Sequence, residues 1–243
     1  MKLFFVGFVV FMMLWSCQES PKETIQPKPT LKKKPSAVRA TQLLLPEGLV
    51  DVQQINAAIQ IDLKYSTTDN FLRERLYTRL QKAYLQKDVA QRLSAVQNEL
   101  ARRYPGYQLL IYDAVRPVSV QEKMWRALDS LPVKDRVKFV SNPKNLSLHN
   151  MGAAIDLTIL DANGEALDMG AGFDDIRKIA YPCLEDSFLR VGQLTRLQVQ
   201  NRKILRSAMQ SQGFRQLPTE WWHFNACSRE EAKRKYKVLY LEP

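Results

Sequence analysis

The sequence predicts an α+β fold: one domain at residues 46–243, preceded by a signal segment at 1–17 and a flexible tether at 18–45. Three observations carry this expectation. Candidate helices and strands follow one another from residue 46 without a regular βαβ rhythm, which separates α+β from doubly wound folds. No internal repeat or second linker interrupts that stretch. Hydrophobic content of 45% and charged content of 25% are values of a folded globular chain and exclude wholesale disorder.

Residues 1–17 (MKLFFVGFVVFMMLWSC) set one lysine before an apolar run from Leu3 to Trp15. That run is short for a membrane span and has the layout of an export signal. Leu14-Trp15-Ser16-Cys17 resembles a bacterial lipobox, which makes Cys17 the expected lipidation site. A plain secretory signal and a buried apolar helix are the competing readings. Between Gln18 and Leu45, four prolines and the run Lys32-Lys33-Lys34 accompany few apolar residues, so nothing there can bury a core. The formal charge is +11, of which residues 1–45 carry +5 and the remaining 198 carry +6. A basic tether beside a lipid anchor suits a membrane surface at least as well as nucleic acid.

Within the domain, Asp88-Val-Ala-Gln91 has capping-box character, and Val89, Leu93, Val96 and Leu100 follow at helical spacing. That helix is expected to stop near Tyr104, before Pro105-Gly106. Tyr107 to Ala114 (YQLLIYDA) is rich in strand formers. Ser119-Val-Gln-Glu122 forms a second capping-box pattern, opening a helix through Met124, Trp125 and Leu128. Ala153 to Leu160 alternates as a strand, with Asp156 and Thr158 on one face and Ile155, Leu157 and Ile159 on the other. Residues 195–211 read as a helix with apolar positions Leu197, Ile204, Leu205, Ala208 and Met209, stopped by Gly213. Phe214 to Phe224 supplies a last strand or loop.

Only two histidines are present, which excludes a histidine-rich metal buffer, and three cysteines exclude a disulfide-stapled mini-protein. Any site needing imidazole must use His149 and His223. Cys183 and Cys227 would meet an oxidising compartment after export. A disulfide between them and two separate buried thiols both remain open, because sequence does not supply the Cα separation.

His149 precedes the strand that contains Asp156, and a carboxylate inside an apolar strand must be paired or bound to metal. His223 closes the segment Glu220-Trp221-Trp222-His223. Two imidazoles and a carboxylate form a familiar ligand set for catalytic zinc, with a fourth position left to water whose pKa falls to about 7. Glu220 is then the candidate general base, and Arg116 a cation aimed at developing oxyanion charge. Taken singly, each residue has a structural explanation: a satisfied core histidine, an Asp156–Arg pair, a surface glutamate, a core Trp pair. The joint pattern is what outweighs them.

That pattern, Ser-x-His-x-x-Gly-x-Ala-x-Asp at 147–156 followed by Glu-x-x-His at 220–223, resembles the zinc signature of the D-alanyl-D-alanine dipeptidases of vancomycin resistance, within the wider zinc D,D-peptidase group. Further agreement lies at Lys64-Tyr65-Ser-Thr-Thr-Asp-Asn70-Phe71, Tyr112-Asp-Ala-Val-Arg116-Pro117, Asp168-Met-Gly170-Ala-Gly-Phe173-Asp174 and Asn201-Arg202. The similarity runs from about residue 50 to 225. It implies a central antiparallel sheet flanked by helices and one Zn²⁺ held by His149, Asp156 and His223. Glu220 would be base and proton shuttle, Arg116 would stabilise the tetrahedral intermediate, and Tyr65, Ser147 and Asp174 would hold the dipeptide, Asp174 near its ammonium.

The expected function is therefore zinc-dependent hydrolysis of D-alanyl-D-alanine by an exported, lipid-anchored enzyme acting on a small dipeptide. Salvage of dipeptides released from peptidoglycan fits that location better than antibiotic resistance. A D,D-carboxypeptidase trimming stem peptides is the enzyme alternative. A zinc-bearing binding module without catalysis, as in a related animal signalling domain, is the alternative of another class. Retention of Glu220 and Arg116 argues against it. No nucleic-acid motif and no obligate protein partner are evident.

Overall fold

The computed structural model describes residues 45–137 and 139–242. The signal segment, Cys17 and the tether up to residue 44 lie outside the described residues. Chain order is β1 (Leu49–Asp51), α1 (Val52–Ile55), β2 (Gln60–Ile61), β3 (Tyr84–Gln86), α2 (Lys87–Arg103), β4 (Gln108–Asp113), α3 (Val118–Ala127), α4 (Val133–Arg136), β5 (Ala154–Leu160), α5 (Glu185–Arg190), α6 (Arg196–Ser211), β6 (Arg215–Gln216), β7 (His223–Asn225) and α7 (Arg229–Lys235). β1 and β3 form a small antiparallel pair.

The central sheet has five strands in the order β2-β4-β5-β7-β6. It is mixed rather than antiparallel throughout: β2 runs parallel to β4, and the other three pairings are antiparallel. A parallel neighbour needs a long crossover, and the stretch between β2 and β4, which includes α2, supplies it. β5 is the pivot. Its Ile155, Leu157 and Ile159 are fully buried in a core with Leu93 of α2 and Leu205 and Met209 of α6. Asp156 and Thr158 alternate to the opposite face, as expected for a strand period of two.

The apolar stripe of α2 is buried as its spacing demands, with Val89, Leu93, Val96 and Leu100 at most 1% exposed. Its cap differs from expectation. Gln86 is the N-cap, and Asp88 sits in the first turn, where its carboxylate accepts from the Tyr236 hydroxyl at 2.7 Å. α3 likewise begins after Pro117 without a side-chain cap. Backbone carbonyls of Leu239 and Tyr240 take the N–H groups of Val118 and Ser119 at 2.9 Å, so Ser119 has no orphan donor to satisfy. α6 does carry a capping box, between Thr195 and Gln198. On that helix Leu197 is 66% exposed, and Arg202 takes a fully buried position instead. Gly213 ends the segment at φ +74°, a left-handed conformation that glycine adopts at no steric cost. Cys183 is exposed and Cys227 buried, and both are free thiols, so neither a disulfide nor a pair of buried thiols is present.

Candidate metal centre

Three strands present one residue each in a single cross-strand row. Asp113 of β4 lies opposite Asp156 of β5, and Asp156 lies opposite His223 of β7. An irregularity in β4 between Ile111 and Asp113 brings Asp113 into that row. Two carboxylates facing each other across strands repel, so the row demands cations or donors around it.

His149 arrives from outside the sheet, on the short 3-10 turn Leu148–Met151. Ser147 and Asn150 close a capping box over this turn: Ser147 Oγ accepts from the His149 N–H at 3.3 Å, and Asn150 Oδ1 accepts from the Ser147 N–H at 2.6 Å. Gly152 ends the turn at φ +63°, and a Cβ there would come within 2.5 Å of Leu49 Cδ2. Its small size is thus required by packing against β1.

Ring hydrogen bonds fix which nitrogens face inward. His149 Nδ1 donates to the Ala114 carbonyl at 2.6 Å, which in the neutral ring places the lone pair on Nε2. His223 Nε2 lies 2.9 Å from Asn225 Oδ1 and donates to it, which in the neutral ring places the lone pair on Nδ1. These two inward nitrogens are 3.2 Å apart. Asp156 Oδ1 is 2.9 Å from His223 Nδ1, and Asp156 Oδ2 is 3.4 Å from His149 Nε2. Yet Asp156 Oδ1 is buried without a hydrogen-bond partner. Lone pairs meeting lone pairs are unfavourable unless a cation sits among them. Bonds of about 2.0–2.1 Å to one tetrahedral ion would set donors about 3.3 Å apart, and these separations fit. Among the described residues, no other group of three histidine, cysteine, aspartate or glutamate side chains converges this way.

Around the cradle, Arg116 is buried, with Nε 2.8 Å and Nη2 2.6 Å from Asp113 Oδ2. Its Nη2 also lies 3.4 Å from Asp156 Oδ2. The Tyr77 hydroxyl donates to Asp113 Oδ1 at 2.6 Å, and the Tyr65 ring lies 5.0 Å from the Arg116 guanidinium. Asp113 and Tyr77 were missed from sequence. The argument that singled out Asp156, a carboxylate embedded among apolar strand residues, applies equally to Asp113.

Glu220 enters from the loop before β7, with Oε2 3.7 Å from His223 Nδ1 and 21% of its side chain exposed to the cleft. Burial, reinforced by the Asp156 and Asp174 carboxylates, pushes its carboxyl up to about 7 against the pull of Arg116. Asp174 adopts φ +58°, an uncommon conformation for a non-glycine residue. Its Oδ1 accepts from the Tyr65 hydroxyl at 3.0 Å, while Oδ2 is buried and unpartnered. Burial and then Asp156 raise this carboxyl to about 7, opposed by Arg116 and Tyr65. A cleft of about 430 Å³ joins these groups, with Asp113 and Tyr77 behind its wall. Each of the eight site residues expected within the domain lines it.

A three-donor metal cradle, a carboxyl poised near neutrality and a buried arginine in one cleft define a metal-dependent hydrolase. The chain belongs to the peptidase M15 family of D-Ala-D-Ala dipeptidases, whose family model matches residues 46–240. It is 35% identical over 180 residues to the D-alanyl-D-alanine dipeptidase of Escherichia coli (strain K12), covering 72% of this chain and 83% of that protein. It is 30% identical over 195 residues to the D-alanyl-D-alanine dipeptidase of Enterococcus faecium, covering 73% and 90%. The D-alanyl-D-alanine dipeptidase of Synechocystis sp. is 29% identical over 168 residues, with 58% and 68% covered.

Proposed function

We propose that the protein hydrolyses D-alanyl-D-alanine with one zinc ion held by His149, Asp156 and His223. The observation that carries this reading is the convergence of His149, His223 and Asp156, whose Oδ1 is buried without a hydrogen-bond partner. Zinc bound there supplies a Lewis acid and an attacking water that ionises near neutrality. Glu220 takes the proton of the attacking water and passes it to the leaving amine, a task suited to a carboxyl near 7. Arg116, kept in place by Asp113, faces the carbonyl oxygen as negative charge develops. Asp174, with its free Oδ2, receives the substrate ammonium, and Tyr65 orients that carboxylate. The Ser147 hydroxyl, already the cap of the His149 turn, is the remaining substrate contact at the cleft wall.

Incubation with D-Ala-D-Ala, with and without chelator, tests the reading. Free D-Ala is expected only from the metal-loaded protein, and no metal-dependent release between pH 6 and 9 refutes it. Asp174 favours a dipeptidase over a D,D-carboxypeptidase, because an acid placed for an ammonium selects free amino termini. Efficient cleavage of a longer stem peptide would reverse that assignment.

The same proposal puts the domain outside the cytoplasm on a lipid anchor at Cys17, supported by the lipobox-like Leu14-Trp15-Ser16-Cys17 and the basic tether. Salvage of peptidoglycan-derived dipeptides is the corresponding role. Metabolic labelling with a fatty acid tests the anchor: label should appear on the native chain and vanish in Cys17→Ser.

A further inference from the structure

Arg202 touches nothing in the cleft, yet it is fully buried and holds the segment that carries Asp174. Its Nε donates to the Met169 carbonyl at 2.6 Å, and its Nη2 to the Ile179 carbonyl at 3.0 Å. Met169 stands five residues before Asp174 and Ile179 five residues after it. One side chain thus ties both ends of a loop whose midpoint is the ammonium-facing carboxylate. The loop needs such a tie. Between Asp168 and Arg177 it has neither helix nor strand, and Asp174 at its centre holds a left-handed backbone.

Neighbouring side chains reinforce the first end. Asn201 Nδ2 donates to the Asp168 carbonyl at 2.8 Å, Gln198 Nε2 to Asp168 Oδ2 at 2.8 Å, and Trp221 Nε1 to the Ala171 carbonyl at 3.0 Å. Glu185, buried and 3.8 Å from Arg202 Nη1, supplies the countercharge and is itself held by Arg206 at 2.8 Å. Spanning two carbonyls at once uses the rigid planar fork of a guanidinium, which a lysine ammonium cannot reproduce.

We infer that Arg202 is a positioning residue that sets recognition of the substrate's free ammonium by fixing the loop around Asp174. The inference rests on the assignment of Asp174 made above. Its role is in binding rather than in chemistry, because Glu220, Arg116 and the metal cradle lie on other segments.

A double-mutant cycle of Arg202→Lys with Asp174→Asn tests this, reading KM and kcat for D-Ala-D-Ala together with bound metal per chain. Arg202→Lys alone should raise KM about tenfold, leave kcat within about threefold and retain the metal. In the Asp174→Asn background the same change should add less than about twofold to KM, since its route of action is already gone. Full additivity, or a wild-type KM for Arg202→Lys, overturns the inference. An unchanged KM in Asp174→Asn instead overturns the underlying assignment of Asp174. Gln198→Ala, at a partly exposed position, keeps the test decisive if Arg202→Lys fails to fold. It loosens the same loop and should raise KM about two- to fivefold in the wild-type background only, and no change would count against the inference.

Discussion

Arg116 is held by Asp113 rather than by Asp156: its Nη2 lies 2.6 Å from Asp113 Oδ2 but 3.4 Å from Asp156 Oδ2. The distinction matters because Asp156 is needed for metal. With Asp113 neutralising the guanidinium, Asp156 keeps its charge and its unpartnered Oδ1 for the cation.

Asp113→Asn should therefore weaken metal binding although Asp113 is not a ligand. The freed guanidinium would turn to Asp156 and compete for it. A loss of about 10–100-fold in metal affinity is expected, measured by competition with a chromogenic chelator. Unaltered affinity would show that Arg116 does not move.

Glu220→Gln separates binding from turnover. The amide preserves shape but cannot take a proton, so kcat should fall by about 10²–10⁴. Metal content by elemental analysis should stay at the wild-type level. Retained turnover would remove Glu220 from the proton path.

Asp174 gives opposite pH signatures in stability and in binding. Its folded carboxyl sits at about 7, whereas an unfolded aspartate titrates near about 3.9. Between those values the folded chain keeps the proton and the unfolded chain has lost it, so stability falls as pH rises through the window. Asp174→Asn should be more stable than wild type at pH 8, by about 4 kcal/mol, in denaturant titrations of the metal-free protein. Substrate binding needs the carboxylate, so wild-type KM should fall as pH rises through the Asp174 titration, which bound metal moves below its metal-free position, and that dependence should be lost in Asp174→Asn. A variant with the wild-type KM profile would show that another group sets it.

Metal should also raise the melting temperature, since three donors that repel one another in the free protein are drawn together by the ion. At a free metal concentration about 100 times Kd the gain is about 2.7 kcal/mol, or about 5–10 °C for a domain of this length. A melt unchanged by metal and by chelator would contradict the cradle.

Part of this architecture was legible in the sequence, for physical reasons. Asp156 stood out because alternating apolar residues around a carboxylate make its burial costly, and with only two histidines the imidazoles were fixed. The stripes of α2 and α6 were readable from period alone, apart from Leu197, which faces solvent. Less legible were features fixed by distant segments. β2 is two residues long, too short for its pattern to disclose a parallel partner. The α3 start is satisfied by carbonyls of Leu239 and Tyr240, so local capping chemistry was the wrong place to look. The apolar surroundings of Asp113 signalled that it needs partners, but not that Tyr77, 36 residues away, would be one of them.

The pairing of Asp156 with His223 has a consequence for assembly of the chain. Side chains alternate faces along a strand, so sliding β7 by one residue against β5 would send the imidazole to the far side of the sheet. Metal can therefore be captured only by molecules whose strands are aligned correctly. β7 is three residues long, and within it only Phe224, fully buried opposite Ile155, enforces alignment through the core. A bound ion would add to that constraint, because only molecules in register bring the imidazole beside Asp156.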